Sequence, residues 1–464
     1  MTTPIPKPPG VPLLGNIFDV NSNNTWDSLK TLAEKYGEIF KITVLGHTIV
    51  FVASAALAEE ICDETRFRKY VGGPIIEIRA AVNDSLFTAY DNEASWGIAH
   101  RIIAPKLTAA AVAERFDEMR DTAAELLALW KGLDESSNSI APLTHLNRLN
   151  LETSVYTLFG QRLNSLDKDH PWLQAMEDST SEAMKRPVRP GFLNWLVHGR
   201  KFKSSIKTMR GCAAEVMQHR KDNPTDRQDL LATLLTATDP ETGAALTESQ
   251  VIDEVVTMPI GSSTAPCLLT SLIYFLARNP DAQARARAEI DTVLPPGETL
   301  QAHHLERMPY LQGVVRESLR LSSAAPGFNI EPLPRQVEGG GVDKSPIFLG
   351  GGKYQVAHNQ AMIIVLPGVN RDAAVFDEPL AFRPERMMGE AFEQLPAGTK
   401  KWFGNGKRVC IGQHYAMQWS VLVACMMIRE VDFEMVDEGY KAAIDGWFNI
   451  RLVDFKAKVK PRAA

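Results

Sequence analysis

Apolar positions along this chain recur mostly at helical spacing, with a few stretches where alternation takes over. The first amphipathic segment, Trp26 to Lys35, is stopped by Gly37, a residue type that ends helices readily. From Ile39 to Val52 the pattern alternates and is rich in β-branched residues, with Gly46 at a turn, which predicts a two-stranded hairpin. Helical spacing returns from Ser54 to about Met308. It is broken at Gly73-Pro74, Pro187 to Gly191, Pro224 and Pro240 to Gly243. An irregular, strand-bearing region is expected from Ala325 to Val365, and proline-rich loops follow it. An apolar helical run then spans Gln413 to Ile428, and a last β-like segment spans Phe448 to Val459. No repeat or low-complexity linker divides the chain. The order predicts one domain over 1–464, mainly α with a small β-lobe (α+β).

Composition changes this picture little. The 464 residues are 45% apolar and 23% charged, as in ordinary soluble proteins. A formal charge of −6 gives no basic footprint, so no nucleic-acid partner is expected. Cys62, Cys212, Cys267, Cys410 and Cys425 are odd in number and far apart, without a CxxC or Cys/His zinc pattern. A reducing, cytoplasmic location is therefore expected. Met1 to Asn16 is proline-rich and lacks the apolar core of a signal peptide. The longest apolar runs, such as Thr48 to Leu57, are too short to cross a bilayer, so no transmembrane anchor is expected.

The most specific chemistry lies in Phe403-Gly-Asn-Gly-Lys-Arg-Val-Cys-Ile-Gly412. It sets Cys410 in a glycine-rich turn just before the apolar helical run. Amide groups at a helix N-terminus, with Arg408 nearby, favour a thiolate. Gly404, Gly406 and Gly412 let the backbone approach a flat cofactor and donate N–H groups to the sulfur. A lone cysteine in a glycine turn is more often a packed small hydrophobe. The ten-residue pattern is far rarer, and it points to haem-thiolate ligation.

This segment resembles the haem-binding loop of the cytochromes P-450, and the resemblance covers nearly the whole chain. It is most similar to the haem domains of self-sufficient flavocytochrome fatty-acid hydroxylases, in which a reductase follows on the same polypeptide. Gly37-Glu-Ile-Phe-Lys41, Leu86-Phe-Thr88, Asp239-Pro-Glu-Thr-Gly243 and Phe382-Arg-Pro-Glu-Arg386 also carry it. The resemblance implies haem b on Cys410 as the metal ligand. It also implies electrons from NADPH through the FAD and FMN of a diflavin reductase, fused or separate. Trp96 and His100, four apart on one helix face, match positions that approach a haem propionate together with Arg408 and Lys69. An aromatic packing pair is the plainer reading of Trp96 and His100. Phe403 matches a residue lying against the sulfur. Phe87 and Ala325 match the distal pocket. Glu317 and Arg320, three apart, match a structural ion pair joined by Arg386.

Two regions depart from the family. The helix crossing the distal face of the haem reads Thr257-Met-Pro-Ile-Gly-Ser-Ser-Thr-Ala-Pro-Cys267. Gly261 and Thr264 are retained, but Ile260, expected to line the substrate pocket, replaces a small residue and Ser263 an acid. Thr264 is the residue expected to deliver protons, with Ser263 beside it as a second catalytic candidate. Pro259 and Pro266 each remove an N–H, from the Val255 and Ser262 carbonyls, so a distortion is expected. Either the freed carbonyls hold water near Thr264, or Pro259 simply kinks the helix. At the mouth of the pocket, His47 and Phe51 stand where an arginine and a tyrosine hold a fatty-acid carboxylate in those hydroxylases. A neutral imidazole and a phenyl ring supply neither the charge nor the phenolic donor. Arg186 to Val197, proline-broken and then apolar, reads as a lid, as a surface resting on membrane, or as an ordinary helix cap.

The expectation is a monooxygenase hydroxylating a large apolar substrate: a fatty acyl chain, a long-chain alcohol or a polyketide. A reductase-independent isomerase or dehydratase, and a haem sensor without turnover, are the alternatives.

Overall fold

The computed structural model describes residues 2–462, apart from 22–23, 45, 135–137, 190 and 447. The first helix, Thr25–Tyr36, buries Trp26, Leu29, Leu32 and Ala33 on one face. Gly37 closes it at φ 84°, donating its N–H to the Ala33 carbonyl. That angle lies in the left-handed region where a Cβ is penalised.

The hairpin forms as Ile39–Val44 and His47–Val52, pairing Ile39 with Val52. Met362–Val365 lies parallel to its second strand, and Gly327–Pro332 runs antiparallel beyond that. Phe67–Lys69 closes the edge of this five-stranded sheet. That three-residue strand was not expected inside the helical stretch, because it is too short to show alternation. It carries Lys69.

The pleat decides what each face of the hairpin meets. Val50 and Val52 pack with Ile39, Phe67, Ile330 and Ile364. Phe51 points the other way, into a core with Trp26, Phe40 and Val365. Its ring stacks on Phe40 at a centroid distance of 5.0 Å. The expectation that Phe51 lines the pocket mouth is corrected: the ring is 5% exposed and lies within the β-lobe core. His47, at the start of the strand, is exposed.

The helical body is built around Glu248–Ser262, Thr264–Arg278, Pro309–Ser322 and Gln413–Glu430. The first begins with a reciprocal cap between Thr247 and Gln250. Pro74 opens the helix Pro74–Val82, and Gly199–Asp222 ends just before Pro224. Asp239 holds the turn to Gly243, and Arg101 clasps both its carboxylate oxygens at 2.5 and 2.7 Å. Pro187 falls in the short turn Arg186–Val188, while Pro190 lies outside the described residues. The apolar residues that follow, Phe192, Trp195, Leu196 and Val197, are all exposed.

One expectation about length is corrected. Taken together, Glu248–Arg278 is long and apolar enough to cross a bilayer. Most of its apolar stretch is buried against other helices, as in a core helix.

The predicted distortion of this helix sits at Ser263, the single residue between its two halves. Three successive hydroxyls turn back onto the backbone there. Ser262 Oγ donates to the Pro259 carbonyl at 3.1 Å, Ser263 Oγ to Ile260 at 2.8 Å, and Thr264 Oγ1 to Gly261 at 3.3 Å. Such bonds let hydroxyls take the place of the lost ladder and bend a helix. The Ser263 N–H itself reaches back three residues, to the Ile260 carbonyl at 3.4 Å, rather than the four of the regular ladder.

Candidate active site

The cysteine loop is shaped by glycines. Gly404 and Gly406 have φ of 84° and 56°. A Cβ on Gly406 would lie 1.9 Å from the Glu64 carboxyl carbon, so only glycine lets Glu64 accept the Lys407 N–H at 2.8 Å. Cys410 donates its own N–H to the Phe403 carbonyl at 2.7 Å, which closes the loop on itself. Phe403 is thus tied to the cysteine through the backbone, and its half-buried ring packs against the main core. The helix Gln413–Glu430 starts immediately afterwards, with Gly412 as its cap.

Electrostatics around the sulfur correct one expectation. Cys410 is solvent-accessible but recessed, and burial pushes its thiol up. The Gly412 N–H, donating to the sulfur, and the Lys69 ammonium oppose this, and burial outweighs them. The cation acting on the sulfur is Lys69 rather than Arg408, and the amides alone do not make a thiolate. A bound metal ion deprotonates such a thiol outright.

Lys69, Arg408, Trp96 and His100 come together beside this loop. The Arg408 guanidinium lies 4.9 Å from the centre of the Trp96 ring, and Trp96 lies 5.1 Å from His100. Arg408 donates one bond, to the Ala89 carbonyl, while its Nε and Nη1 are buried without a partner. Burial and the charge of Arg408 bring Lys69 down to about 7. Burial, with Arg101 and Arg408, also lowers His100. Mutually repelling cations with uncommitted buried donors fit an anionic group placed between them. Facing the distal side, a Cβ on Gly261 would meet no atom within 4 Å, so the helix is open there. These residues fit haem b: Cys410 as ligand, with Arg408, Lys69, Trp96 and His100 around its carboxylates.

Three segments meet beside the Glu248–Ser262 helix. Phe87 meets Phe448 edge-on at 5.7 Å. The Ile450 N–H bonds the Ala324 carbonyl at 2.9 Å, which sets Ala325 beside the same C-terminal loop. Asn449, between Phe448 and Ile450, donates to both the carbonyl and the hydroxyl of Ser263 at 2.9 and 3.0 Å. Ile260 is buried, facing a small gap lined by Ile78, Ala81 and Phe202.

Residues 83–90 run past the Glu248–Ser262 helix and are pinned at almost every step. Asn83 Nδ2 donates to Asp253, and the Leu86 N–H donates to Glu254 Oε1 at 2.8 Å. Thr257 Oγ1 donates to Ser85 Oγ at 3.0 Å. Lys69 Nζ donates to the Phe87 carbonyl at 2.6 Å, and Arg79 to the Thr88 carbonyl at 2.8 Å. The sequence reading passed over Asn449, Phe448 and Glu254. Only Glu254 left a signal, as an acid inside the apolar run Val251 to Ile260.

Beneath the cysteine loop, Glu317 and Arg320 are fully buried and joined by two bonds of 2.7 and 2.8 Å. Arg320 also donates to the Asn370, Pro379 and Ala381 carbonyls, and Glu317 accepts the Arg383 N–H at 3.0 Å. Arg386 Nε stands 3.4 Å from Glu317, close enough for attraction but not aligned as a hydrogen bond. The expected three-residue network is present.

A recessed cysteine in a glycine loop, a Glu–Arg network beneath it and a long distal helix define a haem-thiolate protein. Residues 5–460 match the cytochrome P450 family model, and the chain belongs to that family. It is 37% identical over 470 residues to a bifunctional cytochrome P450/NADPH–P450 reductase of Gibberella moniliformis, covering 99% of this chain and 41% of that relative. It is 34% identical over 468 residues to a self-sufficient cytochrome P450 monooxygenase of Phanerodontia chrysosporium, covering 100% of this chain and 43% of that relative. A bifunctional P450/reductase of Acremonium egyptiacum is 34% identical over 471 residues, covering 100% of this chain and 44% of the relative. The chain thus spans about two fifths of the length of the curated relatives it matches.

Proposed function

We propose that this chain is a haem-thiolate monooxygenase unit that hydroxylates a large apolar substrate. Its electrons come from NADPH through the FAD and FMN of a diflavin reductase, fused or separate. The observation that carries this reading is Cys410, recessed in its glycine loop under the Gly412 N–H, with uncommitted cationic donors beside it. When bound, haem b with a cysteine thiolate supplies dioxygen activation, the sulfur's electron density favouring O–O cleavage.

The chain's own residues have separate tasks. Arg408 and Lys69 anchor the cofactor's carboxylates. Phe87, Phe448 and Ala325 present an apolar wall that orients a substrate carbon and excludes water. Thr264 Oγ1 holds a proton on the distal side and hands it on. Ser263, whose hydroxyl donates to Ile260 at 2.8 Å and accepts from Asn449, is held more firmly than Thr264, whose one bond, to Gly261, is longer at 3.3 Å. The substrate class is a fatty acyl chain, long-chain alcohol or polyketide-like molecule. His47 at the mouth carries no permanent charge, which favours substrates without a carboxylate.

A reductase-independent isomerase or dehydratase is the second reading, favoured by the absence of an acid next to Thr264. Two measurements decide. The reduced, carbon-monoxide-treated protein is expected to show the long-wavelength absorption of sulfur ligation, lost in Cys410→Ala. Product from a neutral long-chain substrate is expected only with NADPH and reductase. Turnover without them supports the second reading.

A further inference from the structure

Glu254 is used by nothing above, yet it is 2% exposed inside an apolar helix. Its Oε1 accepts the Leu86 N–H at 2.8 Å, while Oε2 is buried with no partner. Glu254, Thr257, Gly261 and Thr264 follow the spacing of one helical face, broken only at Ser263. Along that face Glu254 accepts the Leu86 N–H and Thr257 donates to the Ser85 hydroxyl. One residue further on, Lys69 holds the Phe87 carbonyl. The Leu86–Phe87 dipeptide is therefore held at both ends, its leading N–H by a carboxyl group of the distal helix and its trailing carbonyl by an ammonium group of the sheet edge.

We propose that Glu254 is a positioning residue for Phe87, and that its proton is what keeps the 83–90 segment closed against the distal helix. A neutral carboxyl accepts the Leu86 N–H and tolerates an enclosed Oε2. A carboxylate needs several donors, and the packing around Oε2 supplies none. Ionisation therefore has to draw water into this junction and loosen the segment that carries Phe87.

The surroundings favour the neutral form. Burial, reinforced by the charges of Asp253 and Asp84, pushes Glu254 up to about 8, against the Leu86 N–H. The cation of the neighbouring helix, Arg210, is bonded to Asp253 and to the Ala81 carbonyl. On Pro74–Val82, Arg79 pairs with Glu93 and Glu77 with Arg186. On Pro142–Phe159, Arg148 pairs with Asp169, Glu152 with Arg162, and His145 accepts from Trp130. Leu230–Thr236 carries no ionisable side chain. Among these groups none offers Glu254 a counter-charge.

The role of Phe87 rests on the haem-thiolate reading, whereas the protonation of Glu254 does not. The test uses infrared spectra of the haem-loaded protein as its ferrous carbon-monoxide complex, from about pH 6.5 to about pH 9.5, a range that brackets the shifted group. The difference between wild type and Glu254→Gln should contain a protonated-carboxyl band that is halved near pH 8. The carbon–oxygen stretch, which senses the wall formed by Phe87, should shift at the same midpoint in wild type. It should stay fixed in Glu254→Gln and be broadened at every pH in Glu254→Ala. The proposal is overturned if the carboxyl band is absent at neutral pH, or if the stretch is unmoved through the titration. Should Glu254→Gln fail to fold, the wild-type stretch alone decides. A protein that takes up no haem but keeps the carboxyl band would refute the haem-thiolate reading instead.

Discussion

Asn449 binds Ser263 twice, with one amide group donating to both its carbonyl and its side-chain oxygen. It thereby fixes the break in the distal helix from a loop whose preceding residue, Phe448, packs edge-on against Phe87. The position where an acid is absent is thus occupied by a structural joint.

Asn449→Ala should release that joint. Two bonds are lost at about 1 kcal/mol each, a small stability change. The larger effect is expected in coupling: NADPH consumed per product formed should rise several-fold, while the sulfur-ligation absorption stays unchanged. Peroxide release measured alongside NADPH oxidation checks this.

The Glu317–Arg320 pair is 0% exposed, so breaking it leaves a buried charge without its partner. Arg320→Ala should cost about 3–5 kcal/mol, and Glu317→Gln somewhat less because its amide keeps an acceptor for Arg320. Denaturant midpoints of the two variants should fall in that order, and haem retention with them.

Gly406→Ala should act through local geometry. The added methyl meets the Glu64 carboxyl in a backbone region that disfavours any Cβ. Displacing Glu64 from the Lys407 N–H should cost about 1–3 kcal/mol. Faster loss of haem on dilution is the expected readout, and the far-ultraviolet spectrum should be unchanged.

Lys69 gives a pH prediction. Without a counter-charge it sits near 7, below its ordinary 10.5. An anionic haem carboxylate beside it restores the charged form, so binding takes up a proton between these two values. By linkage, haem affinity of the emptied protein should fall as pH rises above about 7. Lys69→Met should bind haem more weakly at neutral pH and with a flatter profile. Haem titrations across this range decide the sign.

Much of this was legible in the chain. Trp26 to Lys35, the Ile39 to Val52 hairpin and the Gln413 to Ile428 run each carry a periodicity or a terminator that local physics reads directly. The turn that holds Cys410 was legible because glycines at fixed offsets precede an apolar helical run. Phe51 was misplaced for a different reason: a one-residue step along a strand reverses its face, and neighbouring strands decide which face meets the core. Asn449 and Phe448 left no local trace, since their partners lie on distant helices. Glu254 was visible only as an acid among valines, and burial without a counter-ion cannot be read from one strand of text. The Ser263 joint was half-predicted: the two prolines called for a distortion, but the hydroxyls and the asparagine that settle it are tertiary.

The two residues Leu86 and Phe87 have one hand on the sheet, through the Phe87 carbonyl, and one on the distal helix, through the Leu86 N–H. Small relative shifts of those two supports are therefore passed to the Phe87 ring and, through its edge-on contact, to Phe448. The position of that ring can be reset by substitutions far from it, wherever they alter how the lobe leans on the helices.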